Sequence, residues 1–285
     1  MFDIDAIQHR FDNFRLLMNQ RIREILLVAS VYDAYVLEED GSLEERIWQQ
    51  YIERGLSTAP KIRKVSNEAR ALEIVAHENI DMVLAVVHEE DPWTLELASK
   101  VKACRPELPF VVLAMDPRSL VERSMDASPS GVDRVFLWQN DPSLLLAIIK
   151  YFEDMANVDQ DTRVGRVRVI LLVEDSIAHY STMLPAIYTA IMARTRKLIE
   201  EGMNYTHKQL RMCSRAKILM ADTYEAAVAL FQHYRPYILG LITDVHFSKN
   251  KRMDHDAGCL HEPVQRRFVL QDGRLRERTS DRGCR

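Results

Sequence analysis

Residues 168–176 read RVILLVEDS, and residues 237–244 read YILGLITD. Each is a continuous apolar run that closes on acid. Such a run, bounded by charge, predicts a strand buried on both faces, as in parallel sheets. Between them lie a second run, Ala216-Lys217-Ile218-Leu219-Met220, and a helix over Thr223–Tyr234 with Ala226, Ala227, Leu230 and Phe231 on one side. A longer helical stripe, Ile177, Tyr180, Leu184, Ile187, Ile191 and Leu198, follows the first strand and ends near Gly202. At about 1.5 Å per residue it outruns the sheet, so its far end is expected to protrude. Pro185 is expected to kink it or to mark a fresh start after Ser181.

The same texture occurs upstream. Apolar runs at 23–29, 61–65, 82–87, 110–114 and 132–137 alternate with helical patterns opening at Ser66–Ala69, Pro92–Ala103 and Pro142–Met155. Repeated strand–helix alternation predicts an open α/β sheet. Asn157–Gly165 (NVDQDTRVG) is polar and reads as a linker between two diverged copies of one unit. Ile4, Ile7, Phe11, Phe14, Met18 and Ile22 draw one stripe along an N-terminal amphipathic helix over residues 1–22.

The acids carry the chemistry. In a sheet of order 2-1-3-4-5 the strands ending before Glu174-Asp175 and before Asp244 are neighbours, so their C-terminal ends gather three carboxylates at the switch point where ligands bind. Clustered carboxylates repel unless neutralised, and a hard divalent cation such as Mg²⁺ does so through oxygen ligands. The competing reading makes these acids loop residues, with Asp175 and Ser176 capping the helix that begins near Ile177.

The segments ILLVEDS (170–176) and LGLITDVHF (239–247) resemble the receiver domain of two-component response regulators. The resemblance implies a flavodoxin-like α/β fold, two receiver-like domains in tandem with the second incomplete. It also implies Asp244 as phosphoacceptor, with Glu174, Asp175, Asp244 and the backbone carbonyl of His246 as Mg²⁺ ligands. Its partners would be a histidine kinase or phosphotransfer protein. The family places Thr or Ser after the fourth strand and Lys after the fifth; neither has a counterpart beyond Phe247. In the upstream copy the matching positions are Ala29-Ser30, Val86, Ala114 and Trp138, which makes it a pseudo-receiver without ligands. Asp33, Asp91 and Asp116 nearby read as cap or loop residues. REILLVASVYDAYVLEEDG (23–41), LLLAIIKYFEDMANVDQDTRVG (144–165) and VILLVEDSIAHYSTMLPAIYTAIM (169–192) resemble the N-terminal region of bacterial proteins similar to phosphoenolpyruvate synthase or pyruvate phosphate dikinase. None of these segments is catalytic in those proteins.

The expected division is therefore an N-terminal helix at 1–22, a pseudo-receiver at 23–156, a receiver at 166–258 and an atypical tail at 259–285. In that tail Phe268-Val269-Leu270 alone reads as a strand. With 38 Lys and Arg against 42 Asp and Glu, the net charge of −4 argues against a nucleic-acid binder. No run approaches the ~18 apolar residues of a membrane span. Cys104, Cys213, Cys259 and Cys284 form no CxxC pair and suit a reducing cytoplasm. The nine histidines show no HExxH spacing, and Trp48, Trp93 and Trp138 read as packing residues. The basic run Arg194-Thr195-Arg196-Lys197 reads as a solvated helix face. Two functions from different classes follow. One is a receiver accepting a phosphoryl group on Asp244 with Mg²⁺ and relaying it to a partner or effector. The other is a non-phosphorylated regulatory or dimerisation module, the N-terminal part of a phosphoenolpyruvate synthase-like ATP-dependent enzyme. The two helical stripes offer a homodimer contact, or else pack on each other within one chain.

Overall fold

The computed structural model describes residues 17–39, 41–54, 56, 58–87, 93–116, 131–200, 214–243, 266–271 and 274–279. Five parallel strands form the first sheet: β1 (Glu24–Val28), β2 (Lys61–Val65), β3 (Met82–Val87), β4 (Phe110–Ala114) and β5 (Arg134–Leu137). Their order is β2-β1-β3-β4-β5, the expected doubly wound arrangement. Between β1 and β2 run two helices, α1 (Val31–Leu37) and α2 (Leu43–Glu53). Next come α3 (Glu68–His77), α4 (Trp93–Cys104) and α5 (Ser143–Gly165).

The second sheet holds β6 (Val169–Val173), β7 (Lys217–Ala221) and β8 (Ile238–Thr243), all parallel, in the order β7-β6-β8. It therefore repeats the β2-β1-β3 part of the first sheet. The helix α6 (Ile177–Glu200) follows β6, and α7 (Tyr224–Tyr234) precedes β8. A separate antiparallel pair, β9 (Arg266–Gln271) and β10 (Arg274–Thr279), lies in the tail. β10 was not expected from its charged sequence RLRERT. The Asp272-Gly273 dipeptide between the strands is the hairpin signal that reading passed over.

One helical layer serves both sheets. On one face of the first sheet, Ile25, Leu27, Leu84, Val86, Val111 and Phe136 pack with α2, α5 and α6. The same cluster runs on through Tyr180, Leu184, Tyr188 and Met192 of α6 to Leu172, Ile218 and Met220 of the second sheet. The opposite face of the first sheet packs on α3 and α4, and that of the second on α7. Even and odd positions of β6 and β7 divide cleanly between the two clusters, as strand periodicity requires.

Four expectations need correction. The polar stretch 157–165 is helix, not linker: α5 runs unbroken from Ser143 to Gly165. Asp159 and Arg163 are solvated, but Asp161 and the acids two turns before it face protein. Asp154, fully buried, accepts from Arg215 Nη2 at 2.7 Å and Nη1 at 2.8 Å, from the Tyr188 hydroxyl at 2.8 Å and from the Ile218 amide at 3.1 Å. Lys217 Nζ reaches Asp161 at 2.7 Å, and Lys150 pairs with Glu153 at 2.6 Å. Burial pushes the Asp154 carboxyl up, but Arg215 and Lys217 outweigh it and hold the group below its ordinary range.

The second correction concerns the N-terminal helix. Residues 1–16 lie outside the described residues, and 17–22 are not helical, with Met18 in the left-handed region at φ 54°. The amides of Met18, Gln20 and Ile22 donate to Asp161 Oδ1 (3.1 Å), Asn157 Oδ1 (2.9 Å) and Glu153 Oε1 (3.2 Å). Two extended residues span about 6.6 Å and four helical residues about 6 Å, so the segment and α5 stay in step. Leu17 and Ile22 are buried by this arrangement. Third, of the two outcomes expected at Pro185 the fresh start is not found: α6 runs on through it from Ile177 to Glu200. Packing on both sheets outweighs the one intrahelical bond that proline removes. Trp138 is buried as expected, whereas Trp48 is 61% exposed on α2 and is not a packing residue.

Candidate functional site

The second sheet sets the ends of β6 and β8 side by side. Val173 is in register with both Ala221 of β7 and Thr243 of β8. The Glu174 amide donates to the Ala221 carbonyl at 3.0 Å, which carries the ladder one residue past the strand. The Glu174 carboxylate is thereby drawn down against the protein, at 5% exposure. Its Oε1 accepts from the Ser176 amide at 3.0 Å and lies 3.5 Å from His179 Nδ1. Asp175 is half-buried beside it. Ser176 caps α6: its Oγ accepts from the His179 amide at 3.4 Å, and its carbonyl from the Tyr180 amide at 3.0 Å. The capping role expected of this turn therefore falls to Ser176.

Asp244 and His246 lie outside the described residues, immediately after β8. Among the described residues no three His, Cys, Asp or Glu side chains group in a way that holds a metal. Glu174 and Asp175 supply hard carboxylate oxygens, the donor type that a hard divalent cation takes.

A further acid, Asp222, follows β7 and was missed. Its sequence signal is the same as that of Glu174: acid directly after an apolar strand, here KILMAD (217–222). It is engaged elsewhere, since Arg134 Nη1 of β5 reaches its Oδ2 at 3.2 Å. Thr223 beyond it caps α7, accepting from the Ala226 amide at 3.3 Å.

The corresponding end of the first sheet is apolar. Val86 is buried within β3, Ala114 is buried at the end of β4 and Trp138 just after β5. Ala114 and Leu137 pack against Ile177 and Ala178, the first turn of α6. Ser30 caps α1, accepting from the Asp33 amide at 3.0 Å and donating to its Oδ2 at 2.6 Å. Asp33 is thus a buried partner of that cap, Asp116 is half-buried, and Asp91 lies outside the described residues. Where receivers carry polar groups after strands four and five, this unit presents apolar surface to the helix that leaves Glu174-Asp175-Ser176. Arg194 and Arg196 are exposed as expected, although Arg196 Nη1 also donates to the Glu53 carbonyl at 2.6 Å.

No family model matches the chain, and no curated protein matches it. Among solved structures, the chain is similar to a CheY-like response regulator receiver domain from Methanospirillum hungatei JF-1. That match has 15% identity and a TM-score of 0.35, and covers 50% of this chain and 98% of the other. It is also similar to a response regulator protein from Burkholderia pseudomallei determined with a phosphorylated aspartic acid, calcium ion and citrate. Here identity is 13% and the TM-score 0.31, over 68% of this chain and 94% of the other. The assignment to a flavodoxin-like, doubly wound α/β fold rests on the strand order β2-β1-β3-β4-β5 and its parallel register.

Proposed function

We propose that the chain is a receiver-type signalling module whose second unit accepts a phosphoryl group on Asp244, with Mg²⁺, from a histidine kinase or phosphotransfer protein in the cytoplasm. The observation that carries this reading is the pairing of β6 with β8, with Val173 in register with Thr243. Chains leaving the two strands start from the same end of the sheet, which suits joint action of Glu174, Asp175 and Asp244 with the His246 carbonyl. Transfer forms a bond from an Asp244 carboxylate oxygen to phosphorus and breaks the bond from phosphorus to the donor's nitrogen or oxygen. When bound, Mg²⁺ offsets the charge of the phosphoryl oxygens. Glu174 and Asp175 would hold the ion, while the Ser176 amide and the ladder bond to Ala221 fix the Glu174 carboxylate. The first unit acts as a pseudo-receiver, presenting packing surface and no ligands. The resemblance to phosphoenolpyruvate synthase-like proteins fits a module placed upstream of an ATP-dependent effector.

The test is intact-mass measurement after incubation with acetyl phosphate and Mg²⁺. One phosphate adduct is expected, absent without Mg²⁺ and absent in Asp244→Ala. No adduct under any condition, or an adduct that survives in Asp244→Ala, rejects the proposal. Asp175→Asn should weaken a Mg²⁺-dependent spectral response of the full chain; an unchanged response removes the metal assignment.

A further inference from the structure

β5 is four residues long, and three of them bond to the second unit. Arg134 reaches the end of β7 with both arms of its guanidinium: Nη1 lies 3.2 Å from Asp222 Oδ2, and Nη2 reaches the Met220 carbonyl at 3.5 Å. The fork therefore straddles Ala221. The Val135 carbonyl accepts from the Tyr180 hydroxyl, and the Leu137 amide donates to Ser181 Oγ at 2.9 Å. Both partners stand near the start of α6. Leu137 also packs, with Ala114 of β4, on Ile177 and Ala178 in the first turn of that helix.

These bonds converge on one carboxylate. Glu174 is seated from two sides: the Ala221 carbonyl holds its amide, and the Ser176 amide, at the cap of α6, holds its Oε1. Arg134 fixes the strand end that supplies the first bond, while Val135 and Leu137 fix the helix whose cap supplies the second. The Arg134 side chain is only 19% exposed. A charge is drawn that far from water only where its partners offset the desolvation, and a planar fork holds two acceptors in one fixed relation. Joining the units does not by itself require a charge at this place. The buried Asp154–Arg215 pair already joins them near the opposite, N-terminal end of β7.

We infer, on the reading of Glu174 and Asp175 as cation ligands, that β5 of the first unit positions the acid end of the second, with Arg134 as its positioning residue. The first unit then does more than pack: it sets where the Glu174 carboxylate stands when a divalent cation arrives. Groups that orient a ligand without touching the ion change metal affinity by about 10–100-fold when removed. The seat of the carboxylate is also measurable without any cation, because the Glu174 and Ser176 amides are themselves the bonds that form it.

Hydrogen exchange of the full chain without metal, and calorimetric titration with Mg²⁺ alone, test the two parts separately. In Arg134→Gln, exchange at the Glu174 and Ser176 amides should rise and Mg²⁺ affinity should fall, each by about tenfold. Asp222→Asn cuts the same contact from its more exposed side and should move both readouts in the same direction. Ser181→Ala should do so through α6, and Ser181→Thr, which keeps the hydroxyl, should restore both. Ile74→Val, in α3 on the far face of the first sheet, should move neither. Unchanged exchange at Glu174 and Ser176 in both Arg134→Gln and Asp222→Asn overturns the inference, whether or not the chain binds Mg²⁺. Faster exchange with unaltered Mg²⁺ affinity overturns it as well. Faster exchange in the variants of a chain that never responds to Mg²⁺ upholds the seating by β5 and rejects the cation reading.

Discussion

β3 and β8 occupy the same place in their sheets and have similar sequences, MVLAVV and ILGLIT, yet every residue of β3 is buried and none of β8 is. The strands do not differ in apolar content; they differ in neighbours. β3 lies between β1 and β4, with α3 and α4 on one face and α5 on the other. β8 has β6 on one side and no further strand of its sheet among the described residues. An apolar run states that a strand needs cover on both faces. It does not state which elements provide it.

The largest expected effect strikes the joint between the units. Asp154→Ala leaves Arg215 buried without its carboxylate while Lys217 keeps Asp161, and should cost about 3–5 kcal/mol. Because the core is shared, urea denaturation should show one transition for both sheets, shifted as a whole. Two transitions, with only one displaced, would mean that the units are energetically separate despite their contact.

Next comes the strand comparison itself. Leu84→Ala in β3 should cost about 2–5 kcal/mol by opening a cavity in the packed core. Leu241→Ala in β8 should cost less than about 1 kcal/mol, since its surroundings are already half open. Equal losses would show that β8 is covered as well as β3.

Ser181→Ala removes the acceptor of the Leu137 amide at the β5 edge and should cost about 1–3 kcal/mol, the penalty of an unsatisfied buried donor. Amide exchange at Leu137 should rise by the corresponding factor, with β1–β3 little changed. A silent variant would mean that apolar packing of α6 alone protects that edge.

The smallest effect is on acid stability. The Asp154 pKa is lowered in the folded state, so its contribution is fully present above the ordinary carboxylate value of about 3.9. It is lost as pH falls through the lowered folded value. Stability should therefore decline below about pH 4, and the decline should be shallower in Asp154→Asn, measured from that variant's own baseline.

Much of the fold was legible before any coordinates. Parallel strands 5 to 6 residues long betray themselves as apolar runs, and β1–β4 and β6–β8 fall where those runs lie. The acid pair after β6 was legible for the same reason: a charged residue at the end of a buried strand needs a use. The stretch 157–165 was misread as a linker, since its acids and asparagine look solvated until Lys217 is found opposite Asp161. That partner lies more than fifty residues on, beyond the reach of periodicity. The extended course of 17–22 was hidden likewise, because its amides are satisfied by side chains of α5 and not by helical neighbours.

The sequence by itself determined the alternation of strand and helix, the acids at the end of β6 and the largely apolar strand ends of the first unit. These are local properties, written in the spacing of apolar residues and the chemistry at strand ends. Only the tertiary structure decided that one layer of helices serves two sheets, and that the buried charges of α5 meet partners on and just before β7. Those depend on which surfaces meet, and a meeting between distant segments leaves no period in the chain.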